Sequence, residues 1–171
     1  ATSRRWGGNR TTRCNHLLNA TNIGLDWYFQ NTTEPVSATS YVSGGTTAGQ
    51  GTALSVPAIG WVAKDTTSYS FPRSLYGPGQ TPQSYDTSHS SNYDKTNGVV
   101  AETGQFLYAS PQATSVANSA AQATGFVNAA RSAGTIHQYI IDNEPDLWHD
   151  THRDVRASAT NRGYATYEEI F

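Results

Sequence analysis

The chain has 171 residues, with eleven Lys plus Arg, thirteen Asp plus Glu and a formal net charge of -2. The length fits one ordinary domain. The cations are scattered without a basic stripe, which argues against nucleic acid as a partner. No apolar stretch approaches the roughly 20 residues that span a membrane, and the single Cys14 excludes an internal disulfide framework.

Hydrophobic residues make up 36% and charged residues 14%, while aromatics reach 11% with four Trp and ten Tyr. A disordered chain would show high net charge and few aromatics. Rings and side-chain amides at this density suit a secreted, carbohydrate-handling protein, and a generic polar extracellular domain is the alternative. The sequence contains no Met and opens on no signal peptide, so it reads as a mature or cut chain.

Residues 1–33 read as polar and irregular, with Gly7-Gly8 marking a turn. Pro35 opens a predicted helix through about Ser43 that Gly44-Gly45 would end. Ala53 to Ile59 reads as a short strand in spite of Pro57, and Gly60 to Asp65 as the loop leaving it. Residues 66–109 are rich in Ser, Thr, Tyr, Gly and Pro, a long polar loop of the kind that is functional or disordered. The clearest predicted helix runs from Pro111 to Ala133. Ser110 is its cap, Gly134 its stop, and Val116, Ala120, Ala123, Val127 and Ala130 its apolar face. Ile136 to Ile141 then reads as a strand parallel to an earlier one. Thr166-Tyr167-Glu168-Glu169 has the form of a capping box opening another helix. Alternating helices and strands predict an α/β fold with a parallel sheet.

Asp142-Asn143-Glu144-Pro145 follows the apolar run Tyr139-Ile140-Ile141. In a β/α barrel the strand ends carry the chemistry, so Glu144 is the candidate acid. Burial beside aromatic rings would raise its pKa, and Pro145 would fix the backbone after it. A surface turn is the plain alternative. Asn143 is a candidate for bonding a sugar hydroxyl. Trp148 is a candidate for lining a sugar site or for core packing. Trp27 and Trp61 are stacking platforms or core residues. Gly7-Gly8 permits close ligand approach, which makes Asn9 and Arg10 candidates for binding hydroxyls or a carboxylate. This loop lacks the patterns of phosphate-binding loops. His149 and His152 invite a metal reading, but no HExxH pattern or Cys pair supports it, and no metal or cofactor is expected. Asn9, Asn19 and Asn31 stand in Asn-x-Ser/Thr acceptor sites.

Three stretches together resemble glycoside hydrolase family 44, the endoglucanases and xyloglucanases. They are Arg5-Trp6-Gly7-Gly8-Asn9-Arg10 with Thr12 to Asn15 and Asp26-Trp27-Tyr28, then Val56 to Asp65, and Asp142 to His149 with Thr151-His152-Arg153-Asp154. Asn-Glu-Pro occurs across a wide clan of barrel glycosidases. The Leu-Trp-His and Thr-His-Arg-Asp extension is narrower.

The resemblance implies a partial (β/α)8 barrel, roughly its first half, over residues 1–171, with N-terminal strands and the C-terminal half outside the chain. It implies that Glu144 is the general acid/base of a retaining endo-β-1,4-glucanase, with Asn143, Asn9 and Trp27 touching substrate. The nucleophile would be a Glu beyond Phe171, and the fragment alone would be inactive and poorly soluble. The intact enzyme would be a secreted monomer acting on β-glucan. A mannanase or xylanase of the same clan, or a non-catalytic carbohydrate-binding protein, are the alternatives. Cys14 and His16 depart from the aromatic residues usual in the first motif, which puts a sugar contact there in doubt. Val155 to Ser158 stands where a Pro usually follows the last motif.

Overall fold

The computed structural model describes residues 2–77 and 94–156. Its centre is a parallel three-stranded sheet in the order β1 (Ser3–Trp6), β4 (Gly51–Val56), β7 (Ile136–Ile141). Two antiparallel pairs lie beside it: β2 (Ala20–Asn22) with β3 (Asn31–Thr33), and β5 (Trp61–Ala63) with β6 (Ser115–Ala117). The helices are α1 (Ala38–Thr47), α2 (Arg73–Tyr76), α3 (Ala120–Ala133) and α4 (Trp148–Thr151). The fold is thus mixed α/β, and β7 is parallel to an earlier strand as its position after a long helix implies.

β1 lay hidden in the segment read as irregular, because its helix-facing positions are not plainly apolar. Alternation sends Arg4 and Trp6 to one face and Ser3 and Arg5 to the other. Arg4 occupies an apolar position by laying its guanidinium 3.6 Å over the Tyr41 ring, the way long cationic side chains cover apolar surface. Trp6 enters the main core with Cys14, Ala38, Val42, Leu54, Phe126 and Ala130. This core lies between the sheet and the pair α1 and α3, which pack on each other on one face.

Helix α1 begins at Ala38, three residues after Pro35, with Ser37 accepting the Ser40 amide at 3.2 Å. Gly44 and Gly45 lie inside it rather than at its end. A Cβ on Gly45 would sit 3.3 Å from Arg4 Cδ and 3.4 Å from Thr52 Oγ1, so the small residue lets the helix hug the sheet.

The predicted helix from Pro111 resolves into three pieces: a 3-10 turn at Pro111–Ala113, strand β6, and α3. Ser119, not Ser110, caps α3 by accepting the Gln122 amide at 3.2 Å. Val116 fits the helical spacing but pairs with Val62 in the β5–β6 ladder. Asn118 fastens the crossover, donating its amide to the Gly60 carbonyl at 2.8 Å and its side chain to the Pro57 carbonyl at 3.2 Å. Tertiary pairing here overrides a local pattern. Likewise β4 stops at Val56, before Pro57, and the supposed loop after Gly60 contains β5. The capping-box segment Thr166–Glu169 lies outside the described residues.

Along β7, Tyr139 and Ile141 stand in register with Leu54 and Val56, on the helix-facing side. They are 44% and 45% exposed, whereas Leu54 is fully buried. Among the described residues, nothing pairs with the outer edge of β7.

Candidate active site

Because β1, β4 and β7 are parallel, their C-terminal ends share one edge of the sheet. Three loops leave there: Gly7-Gly8-Asn9, Pro57 to Gly60, and Asp142 to Glu144. The last is the most constrained. Asp142 has φ 58 and Glu144 φ 44, both left-handed, a conformation that non-glycine residues hold only where the surroundings enforce it. Pro145 further disfavours right-handed helix at Glu144.

Asp142 provides the enforcement. Its carboxylate is 3% exposed and accepts the Ala58 amide at 2.6 Å and the Asn143 amide at 2.7 Å. One side chain thus ties the exit of β4 to the exit of β7. Burial pushes its pKa up to about 6, against the pull of the amides of Ala58, Asn143 and Ile59.

Asn143 is buried and held at its side-chain oxygen, side-chain nitrogen and carbonyl. Its Oδ1 accepts from Arg5 Nη2 at 2.7 Å, its Nδ2 donates to Glu144 Oε2 at 2.8 Å, and its carbonyl accepts Trp148 Nε1 at 3.1 Å. Glu144 is exposed, not buried among rings as its sequence context suggests. Its carbonyl accepts the Leu147 amide at 2.8 Å, closing the turn at Pro145–Leu147. The site presents an accessible carboxylate whose neighbour is held from the opposite end of the sheet.

The other candidates fall into place unevenly. Trp148 is 1% exposed and has no face open to a sugar. It is a core residue that holds the Asn143 carbonyl, which corrects its reading as a sugar-lining ring. Arg10 is committed elsewhere: Nε bonds Glu34 Oε2 at 3.1 Å and Nη2 the Thr33 carbonyl at 3.3 Å, tying the Gly7-Gly8 loop to β3. Asn9 spends its amide nitrogen on Asp26 Oδ2 at 2.8 Å and the Ile23 carbonyl at 3.3 Å. It thereby holds the 3-10 turn Gly24–Trp27 that carries Trp27. That turn packs on α4, just after Glu144: a Cβ on Gly24 (φ +65) would meet the Thr151 carbonyl at 2.4 Å. Trp27 is partly exposed and edge-on to Tyr28 at 5.1 Å. Trp61 is half-buried in β5, three residues beyond Ala58.

Two motif stretches serve the fold more than the site. Arg13 and Asp154 both have fully buried side chains, and Arg13 Nη1 donates to both carboxylate oxygens of Asp154, at 2.8 and 2.9 Å. Ser70 donates to Asp154 Oδ2 at 2.6 Å, and Arg13 Nη2 reaches Thr114 Oγ1 at 2.9 Å and Ser115 Oγ. Arg153 lies over the Phe29 and Phe106 rings at 4.5 and 4.7 Å. His152 is fully buried, and burial lowers its pKa to about 3, which keeps it neutral. Cys14 and His16 face the helices, not the sheet edge. Cys14 is in the main core, and the His16 ring lies 5.7 Å from Phe126. Their departure from the usual aromatics therefore falls on packing around a cavity of about 110 Å³ beside Phe126, Ala38 and Ala129, and not on a sugar contact. Asn31 is 0% exposed and bonds Asp65 and the Thr114 carbonyl, so a glycan there is incompatible with the fold. Among the described residues no group of three or more His, Cys, Asp or Glu could hold a metal ion.

Arg5 and Asp142 went unrecognised as site residues in the sequence. The available signal was positional: each stands at the C-terminal end of a strand, and Arg5 points to the sheet face opposite Trp6.

A parallel sheet with helices on one face and an acidic loop at its C-terminal edge is an α/β architecture. The model of glycoside hydrolase family 44 matches residues 20–171, and the chain belongs to that family. CelM2, a bifunctional glucanase-xylanase from a metagenome library, superposes with a TM-score of 0.75 at 30% identity, covering 90% of this chain and 32% of that one. Cel44A, a family 44 endoglucanase from Clostridium thermocellum, gives 0.56 at 20% identity over 99% and 33%. A family 44 xyloglucanase from Paenibacillus polymyxa gives 0.54 at 22% over 98% and 33%. The last two show likeness of fold alone. The chain spans about a third of the length of these proteins. Comparison with curated proteins found no match.

Proposed function

We propose that this chain carries the general acid/base, Glu144, of a retaining endo-β-1,4-glucanase acting on cellulose-type glucan or xyloglucan. The observation that carries the reading is the Asp142-Asn143-Glu144 loop. It is held in left-handed backbone at the C-terminal end of β7, with Asn143 bonded to both Arg5 and Glu144. The exposed Glu144 carboxyl would protonate the leaving glycosidic oxygen while a second carboxylate attacks the anomeric carbon. Glu144 would then take a proton from the water that releases the glycosyl-enzyme. The second carboxylate would be a Glu outside these 171 residues, about 5–5.5 Å from Glu144. The described strand order follows the chain, and both long helices cover the same face. That progression supports a partial β/α barrel, residues 1–171 forming about its first half. Asn143 would bond the sugar hydroxyl beside the scissile carbon, and Trp27 would stack on a neighbouring ring. The polymeric substrate and the polar, weakly charged sequence favour secretion.

Xylan is the second substrate class, because CelM2, at 30% identity, is described as a glucanase-xylanase. The test is the longer protein containing this chain, assayed on β-glucan, xyloglucan and xylan beside its Glu144→Gln variant. Loss of roughly 10²–10⁴-fold in kcat is expected for a general acid/base. Equal activity in both proteins would remove Glu144 from the mechanism.

A further inference from the structure

The geometry points to Arg5 as a positioning residue that fixes which way the Asn143 amide faces, and through it the carboxyl of Glu144; this rests on the acid/base reading of Glu144. A primary amide has two orientations that differ by exchanging its oxygen and nitrogen. In one it would present a donor to Glu144, in the other an acceptor. A guanidinium has donors only, and Arg5 Nη2 donates to Asn143 Oδ1 at 2.7 Å. That contact commits the oxygen to Arg5 and the nitrogen to Glu144 Oε2, at 2.8 Å. Asn143 therefore acts as a hydrogen-bond donor toward the carboxylate, and a swapped amide would set oxygen against oxygen.

The path of Arg5 is itself imposed. A Cβ at Gly7 would lie 2.8 Å from Arg5 Nε and 2.2 Å from Ser55 Oγ. Only a glycine leaves room for the Arg5 side chain to cross the β1–β4 surface toward β7. Meanwhile Asp142 pins the Asn143 backbone through its amide, at 2.7 Å. The side chain of Asn143 is thus steered by Arg5 and its main chain by Asp142. The Arg5-to-Asn143 bond bridges 138 positions of sequence, and couples the first strand of the sheet to the last.

The test uses the longer protein containing this chain, with NMR of the Asn143 side-chain amide. In Arg5→Met, and equally in Gly7→Ala, the two Asn143 amide protons should shift and exchange faster with solvent, with backbone amide signals outside the three loops unchanged. Arg5→Lys, which keeps one donor, should restore part of the effect. Unchanged Asn143 signals in Arg5→Met would overturn the proposal. In the longer protein, Arg5→Met should lower kcat by about 10²-fold, the scale of a misplaced catalytic group, with KM little changed and Arg5→Lys intermediate. An unaltered kcat would also overturn it. Wild-type protein silent on all three glycans would instead sink the proposed function, leaving the NMR comparison to decide the coupling between Arg5 and Asn143.

Discussion

Asp142 is the residue whose chemistry is most altered by the fold. Burial holds its carboxyl at about 6, above its ordinary 3.8. The folded chain therefore keeps a proton that the unfolded chain releases. That contribution to stability is present below about pH 4 and is lost as pH rises through about 6. Urea midpoints of wild type and Asp142→Asn across this range should diverge, the wild type losing stability relative to the variant as pH rises; a constant difference would contradict it. Asp65 works the other way. Burial opposes its ionisation, but hydrogen bonds from Ser68, Thr67 and Asn31 outweigh that and hold it at about 2. Comparison of the two proteins, not the wild-type curve alone, therefore isolates Asp142. Cys14 offers a second residue-scale check. Burial pushes its thiol up to about 12, and thiolates, not thiols, are the nucleophiles. It should resist a thiol-specific reagent in the native chain and react once urea unfolds it; rapid labelling of the folded protein would contradict its place in the core.

Between elements, the buried pair of Arg13 and Asp154 joins the segment after β1 to the segment after α4, with Ser70, Thr114 and Ser115 adding hydrogen bonds to the two charged groups. Removing one partner strands a buried charge, so Arg13→Met or Asp154→Asn should each cost about 3–5 kcal/mol in urea unfolding. The double variant should cost less than the sum of the two, and additive losses would show that the groups do not share one network. The true start of α3 is tested as simply. Ser119→Ala should lose about 1 kcal/mol as a cap, whereas Ser110→Ala, whose hydroxyl caps no helix, should change stability little. The helix start illustrates what a sequence hides. Ser110-Pro111 has every local mark of a helix start, and Val116 fits the stripe, yet the cross-strand partner Val62 lies 54 positions earlier and leaves no trace near residue 116. Strand β7 was legible because its apolar run and the helix before it are local. Strand β1 was not, because Arg4 stands in for an apolar residue by lying on Tyr41.

At the scale of the molecule, the parallel α/β sheet and the acidic loop at its edge were readable from chain order and from one tetrapeptide. The division of labour among the motif residues was not. Trp148, Arg10, Arg13 and Asp154 look like site residues in one dimension, and contacts across the chain assign them to scaffolding. Arg5 looks like part of a turn and is aimed at Asn143 by the β1–β4–β7 order. The half-exposed Tyr139 and Ile141, in register with buried Leu54 and Val56, mark where covering structure is absent among the described residues. The 171-residue chain should accordingly self-associate as its concentration rises, which light scattering would read. The central claim is that Glu144 gives and takes the proton and is not the attacking carboxylate. Its most direct test is Glu144→Ala in the longer protein, assayed on aryl β-glucosides of graded leaving ability with azide present. An acid/base assignment predicts small losses in the glycosylation step with leaving groups that need no protonation and large losses with those that do. It also predicts that azide restores turnover as a glycosyl azide of retained β configuration. Uniform losses across leaving groups, or an azide product of inverted configuration, would make Glu144 the nucleophile and contradict the account.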